Sequence, residues 1–224
     1  MDGAKAYGPI LSVDQVSAFQ CYYQVLVAGN VKQNLTRITG EREVVLKHFL
    51  DSLSYLVGIP VAWQRQKICL LDVGSGAGFP GIPLLIACQN WVGVLLEATR
   101  KKVEFLEQTV EALSLSDRVV VRWGRAETAP ISEHGLYDLV TARAVTGIRT
   151  LVGWALPLVR VGGLLVLSQG PKNVQDIASS TTAVHRAGGK ILRLIPVELP
   201  EKAGKRFLVV IERQAKSMVN LSTS

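Results

Sequence analysis

The segment Asp72-Val73-Gly74-Ser75-Gly76-Ala77-Gly78-Phe79-Pro80-Gly81 decides the fold of this chain. It follows a short apolar run, residues 68–71, which is typical of a buried strand. Glycine at every second position lets the backbone turn sharply after the strand, and it lets a ligand lie against main-chain N–H groups. We therefore expect a ligand-binding loop here, and not glycines that serve packing.

An acidic residue completes the pattern. Glu97 comes directly after a second apolar run, residues 91–96. In a parallel sheet, an acid at the end of the second strand is placed to accept hydrogen bonds from ribose hydroxyls. The order strand, glycine loop, helix, strand and acid predicts a site for a cofactor that contains a nucleoside.

Two classes of cofactor are compatible with this order. Gly76-x-Gly78-x-x-Gly81, followed by Glu97, matches the dinucleotide fingerprint of NAD enzymes. Three details favour the other class: Asp72 lies inside the turn, the alternation contains one additional glycine, and two prolines lengthen the loop. An acid-x-Gly-x-Gly-x-Gly loop resembles the first motif of class I methyltransferases, whose cofactor is S-adenosyl-L-methionine (SAM).

Composition and charge restrict the function further. The chain has 224 residues, with 25 Lys and Arg against 18 Asp and Glu, and a net charge of +7. Such a basic surplus favours a polyanionic substrate. The three cysteines lack metal-ligand spacing, so we expect reduced cysteines and no metal. Because neither a membrane span nor a signal-peptide pattern is visible, we expect a cytoplasmic protein without a membrane partner.

The hydrophobic periodicity divides the chain into two parts. After a frayed tail at residues 1–10, two amphipathic helices are predicted over residues 12–28 and 41–57. Strands and helices then alternate. The predicted strands are 67–72, 91–96, 118–123, 137–142, 161–168, 190–197 and 206–212, and the predicted helices are 82–89, 99–113, 147–158 and 173–186. We expect an N-terminal helical extension, residues 1–60, and a methyltransferase domain, residues 61–224.

The alternation predicts an α/β fold with a parallel, doubly wound sheet. Gly162-Gly163 is expected to form the tight turn into the fifth strand, and a short loop joins the last two strands as a hairpin. A Rossmann-like sheet of seven strands that ends in such a hairpin is the class I SAM methyltransferase topology. Dinucleotide folds end in a sixth parallel strand instead.

Ligands of such sheets bind outside the carboxyl ends of the strands. This rule selects four places in the sequence. They are the glycine loop, Glu97, the segment Gly124-Arg125-Ala126-Glu127 and the segment Thr141-Ala142-Arg143-Ala144.

Together these segments resemble one family. Asn34-Leu35-Thr36, His48-x-x-Asp51-Ser52-Leu53, the glycine loop extended through Ile82-Pro83-Leu84, Arg125-Ala126-Glu127 and Ala142-Arg143-Ala144 are similar to motifs of the RsmG, or GidB, family of bacterial 16S rRNA methyltransferases. The resemblance extends from about Tyr22 to Ile211. It implies an enzyme that transfers a methyl group from SAM to N7 of one guanine in the decoding-region loop of 16S rRNA.

The resemblance and the sheet-edge rule together assign site residues. The residues expected to bind SAM are Gly74, Ser75, Gly76, Gly78, Phe79, Glu97, Ala126, Glu127 and Arg143. Arg143 ends a buried strand at the ligand edge, so we expect it to position the SAM carboxylate, a phosphate or the base. The residues expected to contact RNA phosphates are Arg37, Lys172, Arg186, Lys205 and Arg206.

The sequence departs from the family pattern in two places. Gly29-Asn30 stands where a Trp-Asn pair is usual, and Gln169 replaces a lysine after the fifth strand, for which Lys172 is a substitute. His48 and Asp51 are one helical turn apart, and we expect a structural contact between them.

The expected chemistry makes a general base unnecessary. Guanine N7 carries a free lone pair and no proton, so the enzyme mainly has to align three atoms. The expected partner is 16S rRNA, a small ribosomal subunit or an assembly intermediate, and the enzyme is expected to be a monomer. The alternatives are a SAM-dependent methyltransferase with another substrate, an NAD-dependent oxidoreductase and a non-catalytic RNA-binding module.

Overall fold

The computed structural model describes residues 2–8, 10–143, 146–171 and 174–215. Their strands form one seven-stranded sheet. The strand order is β3-β2-β1-β4-β5-β7-β6. The strands are β1 (Cys69–Val73), β2 (Val92–Glu97), β3 (Val119–Trp123), β4 (Tyr137–Arg143), β5 (Val159–Gln169), β6 (Gly189–Leu199) and β7 (Gly204–Arg213). Each lies within a few residues of its predicted position.

The direction of the strands confirms the predicted fold class. Strands β1 to β5 are parallel, and β7 is antiparallel to both β5 and β6. The chain reverses its order of winding between β1 and β4, which is the position where open α/β sheets bind ligands. The antiparallel pair at one end is the predicted hairpin, and it distinguishes this class I methyltransferase sheet from a dinucleotide fold.

Seven α-helices are assigned within the described residues. They are α1 (Val13–Gln33), α2 (Glu41–Val44), α3 (Asp51–Leu53), α4 (Gly81–Ala87), α5 (Arg100–Ala112), α6 (Ile148–Ala155) and α7 (Val174–Arg186). A capping box of Ser12 and Gln15 begins α1, and Asn34, in the left-handed conformation, ends it. The helix extends past its predicted end at residue 28, because its last turns are polar and hide the periodicity.

The second N-terminal helix is irregular. Residues 41–58 are continuously helical and comprise α2, a π-helical stretch (Val45–Leu50), α3 and a 3-10 turn (Ser54–Gly58). Its predicted position was correct, and the π-helical stretch is a feature that the periodicity did not indicate. A π-helical stretch often accompanies a functional site, and this one carries His48 toward the carboxyl edge of the sheet.

The beginning of the chain corrects a prediction. Residues 1–10 were expected to be frayed, but Asp2–Tyr7 forms a 3-10 helix. Ala4 and Tyr7 are 2% and 8% exposed, and the Tyr7 hydroxyl donates a hydrogen bond of 3.2 Å to the carbonyl of Glu198. The Tyr7 hydroxyl therefore connects this segment to β6, and Ala4 is buried with it in the core.

The core has two parts, one on each face of the sheet. Leu70 packs with the N-terminal helices, α4 and α5, whereas its neighbour Leu71 packs with α6 and α7. The side chains of Phe19, Tyr22 and Phe49 belong to the same cluster as Leu70. The N-terminal helices thus cover one face of the sheet. The division of the chain into a helical extension, residues 1–60, and a methyltransferase domain, residues 61–224, stays a prediction.

At two positions the structure explains why the residue is glycine: a side chain there would collide with a neighbour. Gly162-Gly163 lies inside β5 and not before it, and a Cβ on Gly163 would meet the carbonyl oxygen of Asp138 at 2.7 Å. A Cβ on Gly29 would meet the ring of Phe105 at 2.6 Å. Gly29, one of the two departures from the family pattern, therefore allows the close contact between α1 and α5.

The part of the chain that the structure describes contains no helix that is both long and apolar enough to cross a membrane. Within the same residues there is no cluster of three or more metal-ligating side chains. The three cysteines, Cys21, Cys69 and Cys88, are free thiols, as the sequence predicts.

Candidate active site

The glycine loop is held by the end of the neighbouring strand. The N–H groups of Gly74 and Ser75 both donate to the carbonyl of Leu96, at 2.8 and 3.1 Å. Gly74, Gly76 and Gly78 have φ angles of 67°, 60° and 99°. These left-handed conformations explain why the loop requires glycine.

Gly76 and Gly78 have different roles, because only Gly76 faces open space in front of the loop. A Cβ on Gly76 would meet only the carbonyl oxygen of Gly74, at 3.9 Å, so Gly76 leaves space in which a ligand can lie. A Cβ on Gly78 would instead meet Ile82 at 2.5 Å and the Tyr22 hydroxyl at 2.6 Å. The expectation that none of these glycines serves packing was therefore wrong for Gly78.

Asp72 is a fully buried carboxylate that joins three elements. Its Oδ1 accepts a hydrogen bond of 2.7 Å from the Thr141 hydroxyl on β4, and its Oδ2 accepts one of 3.1 Å from the N–H of Gly81 at the start of α4. Burial raises the pKa of Asp72 to about 6, and the hydrogen bonds only partly oppose this. Asp72 therefore supports the loop from behind.

Glu97 closes the loop from the front. One carboxylate oxygen accepts the N–H of Gly76 at 2.9 Å, and the other accepts the N–H of Thr99 at 2.8 Å. Each carboxylate oxygen can accept a further hydrogen bond. Since Glu97 also lines the adjacent cleft, it can hold the loop and bind ligand hydroxyls at the same time.

The cleft lies at the carboxyl edge of the sheet and has a volume of about 450 Å³. Its lining includes five of the predicted cofactor residues, namely Gly74, Glu97, Ala126, Glu127 and Arg143. Ser75, Gly78 and Phe79 are buried beneath the loop surface. The lining also includes residues that the sequence did not assign to the cofactor: Leu96 and Ala98 at the end of β2, Lys102 on α5, Thr146 before α6 and Trp154 on α6.

Arg143 separates this cleft from a second pocket. Its guanidinium lies 3.0 Å from Asp51 Oδ2 and 3.5 Å from His48 Nδ1, and it lies over the Phe79 ring at 5.0 Å. The side chain is 18% exposed. The expected His48–Asp51 contact is thus replaced by an arrangement in which both residues face Arg143.

His48 is held as a neutral ring. Its Nε2 lies 2.9 Å from the Thr36 hydroxyl, and the ring stacks on Phe79 with 4.6 Å between the centroids. Burial, and then the positive charge of Arg143, lower the pKa of His48 to about 4. Thr36, in the loop before α2, is therefore the hydrogen-bond partner of His48 on the π-helical stretch.

The second pocket is defined by Ile38, Lys47, His48, Asp51, Arg143, Ser168, Gly170 and Arg206, and we call it the side pocket. Its volume is about 380 Å³. Because Arg143 lines both cavities, the cleft and the side pocket share one wall.

The predicted RNA-contacting residues do not all reach this edge. Arg206 lines the side pocket, Arg37 is exposed next to Ile38, and Lys205 is exposed at the start of β7. Arg186 is exposed at the end of α7, close to the start of β6, and so lies toward the opposite edge of the sheet. Lys172 lies outside the described residues, and Gln169 is buried at the end of β5.

A larger cavity, of about 810 Å³, lies at the opposite edge of the sheet, among the residues that precede β1 and β2. It contains neither the glycine loop nor an acid at a strand end. By the sheet-edge rule, the cleft beside Glu97 is the better candidate despite its smaller volume.

Comparison with known proteins identifies relatives that match most of this chain. A family model described as "GidB: rRNA small subunit methyltransferase G" matches residues 15–202. A protein from Lactobacillus johnsonii, named ribosomal RNA small subunit methyltransferase G, is 40% identical over 92% of this chain and 87% of its own length. A protein of the same name from Chloroflexus aggregans is 42% identical over 94% of this chain and 87% of its own length.

A solved structure supports the fold. The structure of M. jannaschii TYW2 in complex with AdoMet superposes with a TM-score of 0.59 at 14% identity, and 79% of each chain is covered. At this level of identity the likeness shows the shared class I methyltransferase fold.

The raised pKa of Asp72 predicts a specific pH dependence. Between pH 3.8 and about 6 the folded protein retains a proton that the unfolded chain releases. The contribution of this proton to stability is therefore complete below pH 3.8, and it is lost as the pH rises to 6. The free energy of unfolding of Asp72→Asn, relative to the unmodified protein, should increase over this range by up to about 3 kcal/mol.

Urea denaturation at pH 4 to 7 measures this difference. His48 titrates in the opposite direction over nearly the same range, but it is present in both proteins and cancels in the comparison. Parallel stability curves for the two proteins would show that Asp72 does not bind the proton.

Proposed function

We propose that this chain, which belongs to the GidB family of rRNA small subunit methyltransferase G proteins, transfers a methyl group from SAM to N7 of one guanine in the decoding-region loop of 16S rRNA. The observation that carries the proposal is the pair of cavities at the carboxyl edge, which share Arg143 as a wall. The cleft suits the methyl donor, and the side pocket suits the acceptor base.

The residues of the cleft fit SAM. Glu97 has the position and the acceptor capacity to hold ribose hydroxyls, and Gly76 leaves room beside it. Leu96, Ala126 and Trp154 provide an apolar wall that suits an adenine ring. When bound there, SAM supplies an electrophilic methyl group on a sulfonium.

The acceptor atom agrees with the titratable groups at the site. Guanine N7 carries no proton, so its methylation needs no general base. His48 and Asp51 are two titratable residues whose side chains contact the Arg143 guanidinium, and the reaction requires neither of them as a base. The protein contributes orientation, which supplies up to roughly 7–11 kcal/mol when reacting atoms are held in line.

The charge around the side pocket supports an RNA substrate. Lys47 and Arg206 line it, and Arg37 and Lys205 are exposed on neighbouring segments. Cations that neutralise phosphates release counterions, which is the main source of non-specific RNA affinity. We propose that 16S rRNA, within a small subunit or an assembly intermediate, is bound by a cytoplasmic, monomeric enzyme without a metal.

Methyl transfer from labelled SAM to 16S rRNA that lacks the modification tests the proposed function. The label should appear at N7 of a single guanine, located by mapping the modified base. Transfer to a small molecule or a protein in place of RNA would favour a SAM-dependent enzyme with another substrate.

Removal of the Glu97 carboxylate should weaken the binding of SAM. Glu97→Ala should cost about 1–3 kcal/mol of binding free energy, because ribose hydroxyls and the Gly76 N–H lose their acceptor. Calorimetric titration of the folded variant with SAM measures this loss. Glu107→Ala, which removes an exposed acid on α5, is the matched control and should bind normally. Equal affinities for the two variants would remove Glu97 from the cofactor site.

Substitutions at two glycines of the loop should have different effects. Gly76→Val should abolish SAM binding, because its side chain enters the open space in front of the loop and strains the backbone at a φ of 60°, whereas the core stays intact because the side chain meets no core residue. Gly78→Val should instead destabilise the protein, because it collides with Ile82 and Tyr22. Calorimetry and thermal unfolding of both variants test the contrast. SAM binding by folded Gly76→Val would show that the ligand does not occupy the space in front of Gly76.

Two exposed arginines on opposite sides of the protein provide a test of the RNA surface. Arg37→Ala should reduce the slope of log K against log salt by about 0.7–0.9, the contribution of one phosphate contact. Arg186→Ala should leave the slope unchanged, because Arg186 lies toward the other edge. Filter binding of rRNA at several salt concentrations measures both slopes, and a larger effect of Arg186 would place the RNA elsewhere.

A further inference from the structure

We propose that Asp51 reads the Watson–Crick edge of the target guanine in the side pocket, and that Arg206 occupies this carboxylate while RNA is absent. The inference rests on the proposed function, which it deepens by assigning the base-selecting residue. It is carried by the burial and the incomplete pairing of Asp51.

Asp51 is a buried acid with one oxygen unsatisfied. The residue is 1% exposed, and its Oδ2 accepts a hydrogen bond from Arg143 at 3.0 Å. Its Oδ1 accepts no hydrogen bond from any residue that the structure describes. The Nε of Arg206 approaches this oxygen to 3.2 Å, but as an ion pair without hydrogen-bond geometry. A buried acceptor left in this state is costly, and it is a reason to look for a missing donor.

Guanine supplies the donors that this oxygen lacks. Its N1–H and its exocyclic N2 amino group lie on adjacent positions of one edge, in the same N–C–N arrangement as a guanidinium. A carboxylate that already attracts two arginine side chains therefore matches this edge. Adenine presents an unprotonated N1 acceptor at the corresponding position, which a carboxylate repels. Asp51 consequently selects guanine.

The placement of Asp51 also suits the reaction. N7 lies on the side of the purine remote from the Watson–Crick edge. A guanine whose N1 and N2 face Asp51 can direct N7 past Arg143 toward the cleft, since Arg143 is the shared wall. A volume of about 380 Å³ is within the range of small-molecule sites. An enzyme that modifies a base must receive it unstacked from its neighbours, and such a pocket accommodates it.

The charge of Asp51 favours the transition state over the ground state. The N7 lone pair forms the new bond to the methyl carbon, while the electron pair of the methyl–sulfur bond stays on sulfur and no proton moves. Positive charge consequently develops on the guanine ring, and the N1–H becomes more acidic. Its hydrogen bond to a carboxylate strengthens as the reaction proceeds, which is the requirement for catalysis by differential binding.

Arg206 is placed to give way to the base. Its side chain is 29% exposed, whereas that of Asp51 is 2% exposed, so Arg206 covers the acid from the solvent side. It lies near the start of β7, next to the exposed Lys205. When the guanine edge replaces it on Asp51, its guanidinium is free to bind a phosphate of the same RNA.

Replacement of one base tests the inference with the unmodified enzyme. The substrate is 16S rRNA that lacks the modification and carries either guanosine or inosine at the mapped position. Inosine retains N7 and N1–H and lacks only the N2 amino group. We expect kcat/KM to fall about 10- to 100-fold on inosine, as for a lost hydrogen bond to a charged group. Equal rates on both substrates would overturn the inference.

A variant then assigns the discrimination to Asp51. Asp51→Asn should lower kcat/KM on guanosine and bring the guanosine-to-inosine ratio near unity, which general structural damage would not do. Glu41→Gln, an exposed acid on the same helical segment, should retain the unmodified ratio. An Asp51→Asn enzyme with the full ratio would contradict the assignment, and if this variant does not fold, the comparison with the unmodified enzyme decides. Absence of methylation on the guanosine substrate itself would instead refute the proposed function.

Discussion

The contact between Arg143 and Asp51 joins two parts of the chain on which the site depends. Arg143 ends β4 at the centre of the sheet, and Asp51 lies on the N-terminal helical segment, with 3.0 Å between their charged atoms. A buried ion pair is weak evidence for stability, because desolvation offsets much of the attraction. Its consequence here is geometric. The pair fixes Arg143 as the wall between the two cavities. The proposed methyl donor in the cleft and the proposed acceptor base in the side pocket can therefore meet beside the Arg143 side chain.

Two other acids, Asp72 and Glu97, fix the glycine loop, and their environments give them different roles. Asp72 is enclosed and bonded to β4 and α4, so it supports the backbone and has no access to a ligand. Glu97 bonds the loop from the cleft side and retains acceptor capacity toward it. The glycines alone do not specify a cofactor; the acid in front of them determines which ligand groups can bind.

The sequence predicted features that arise from local patterns. Alternating apolar runs located the strands, and the sheet-edge rule placed Glu97, Ala126 and Arg143 at one cleft. It did not predict contacts between distant residues. Asp51 meets Arg143 across 92 positions in the chain, and no periodicity encodes such a partner. Gly78 resembled its neighbours in the motif, and only the close packing of Ile82 and the Tyr22 hydroxyl against it shows that its role differs.

The proposed methylation of guanine N7 requires no proton transfer, and the character of the site agrees with this. An enzyme that activates a hydroxyl or an amine needs a base with a pKa near the operating pH. Here burial and Arg143 hold His48 neutral, with a pKa of about 4, and stacking fixes its ring on Phe79. Such a residue can shape the side pocket without adding a positive charge near the sulfonium of the proposed cofactor. Three charged side chains, Arg143, Asp51 and Arg206, form a chain of contacts from the cleft to the surface. Base selection, alignment and RNA contact can therefore depend on one connected group of side chains.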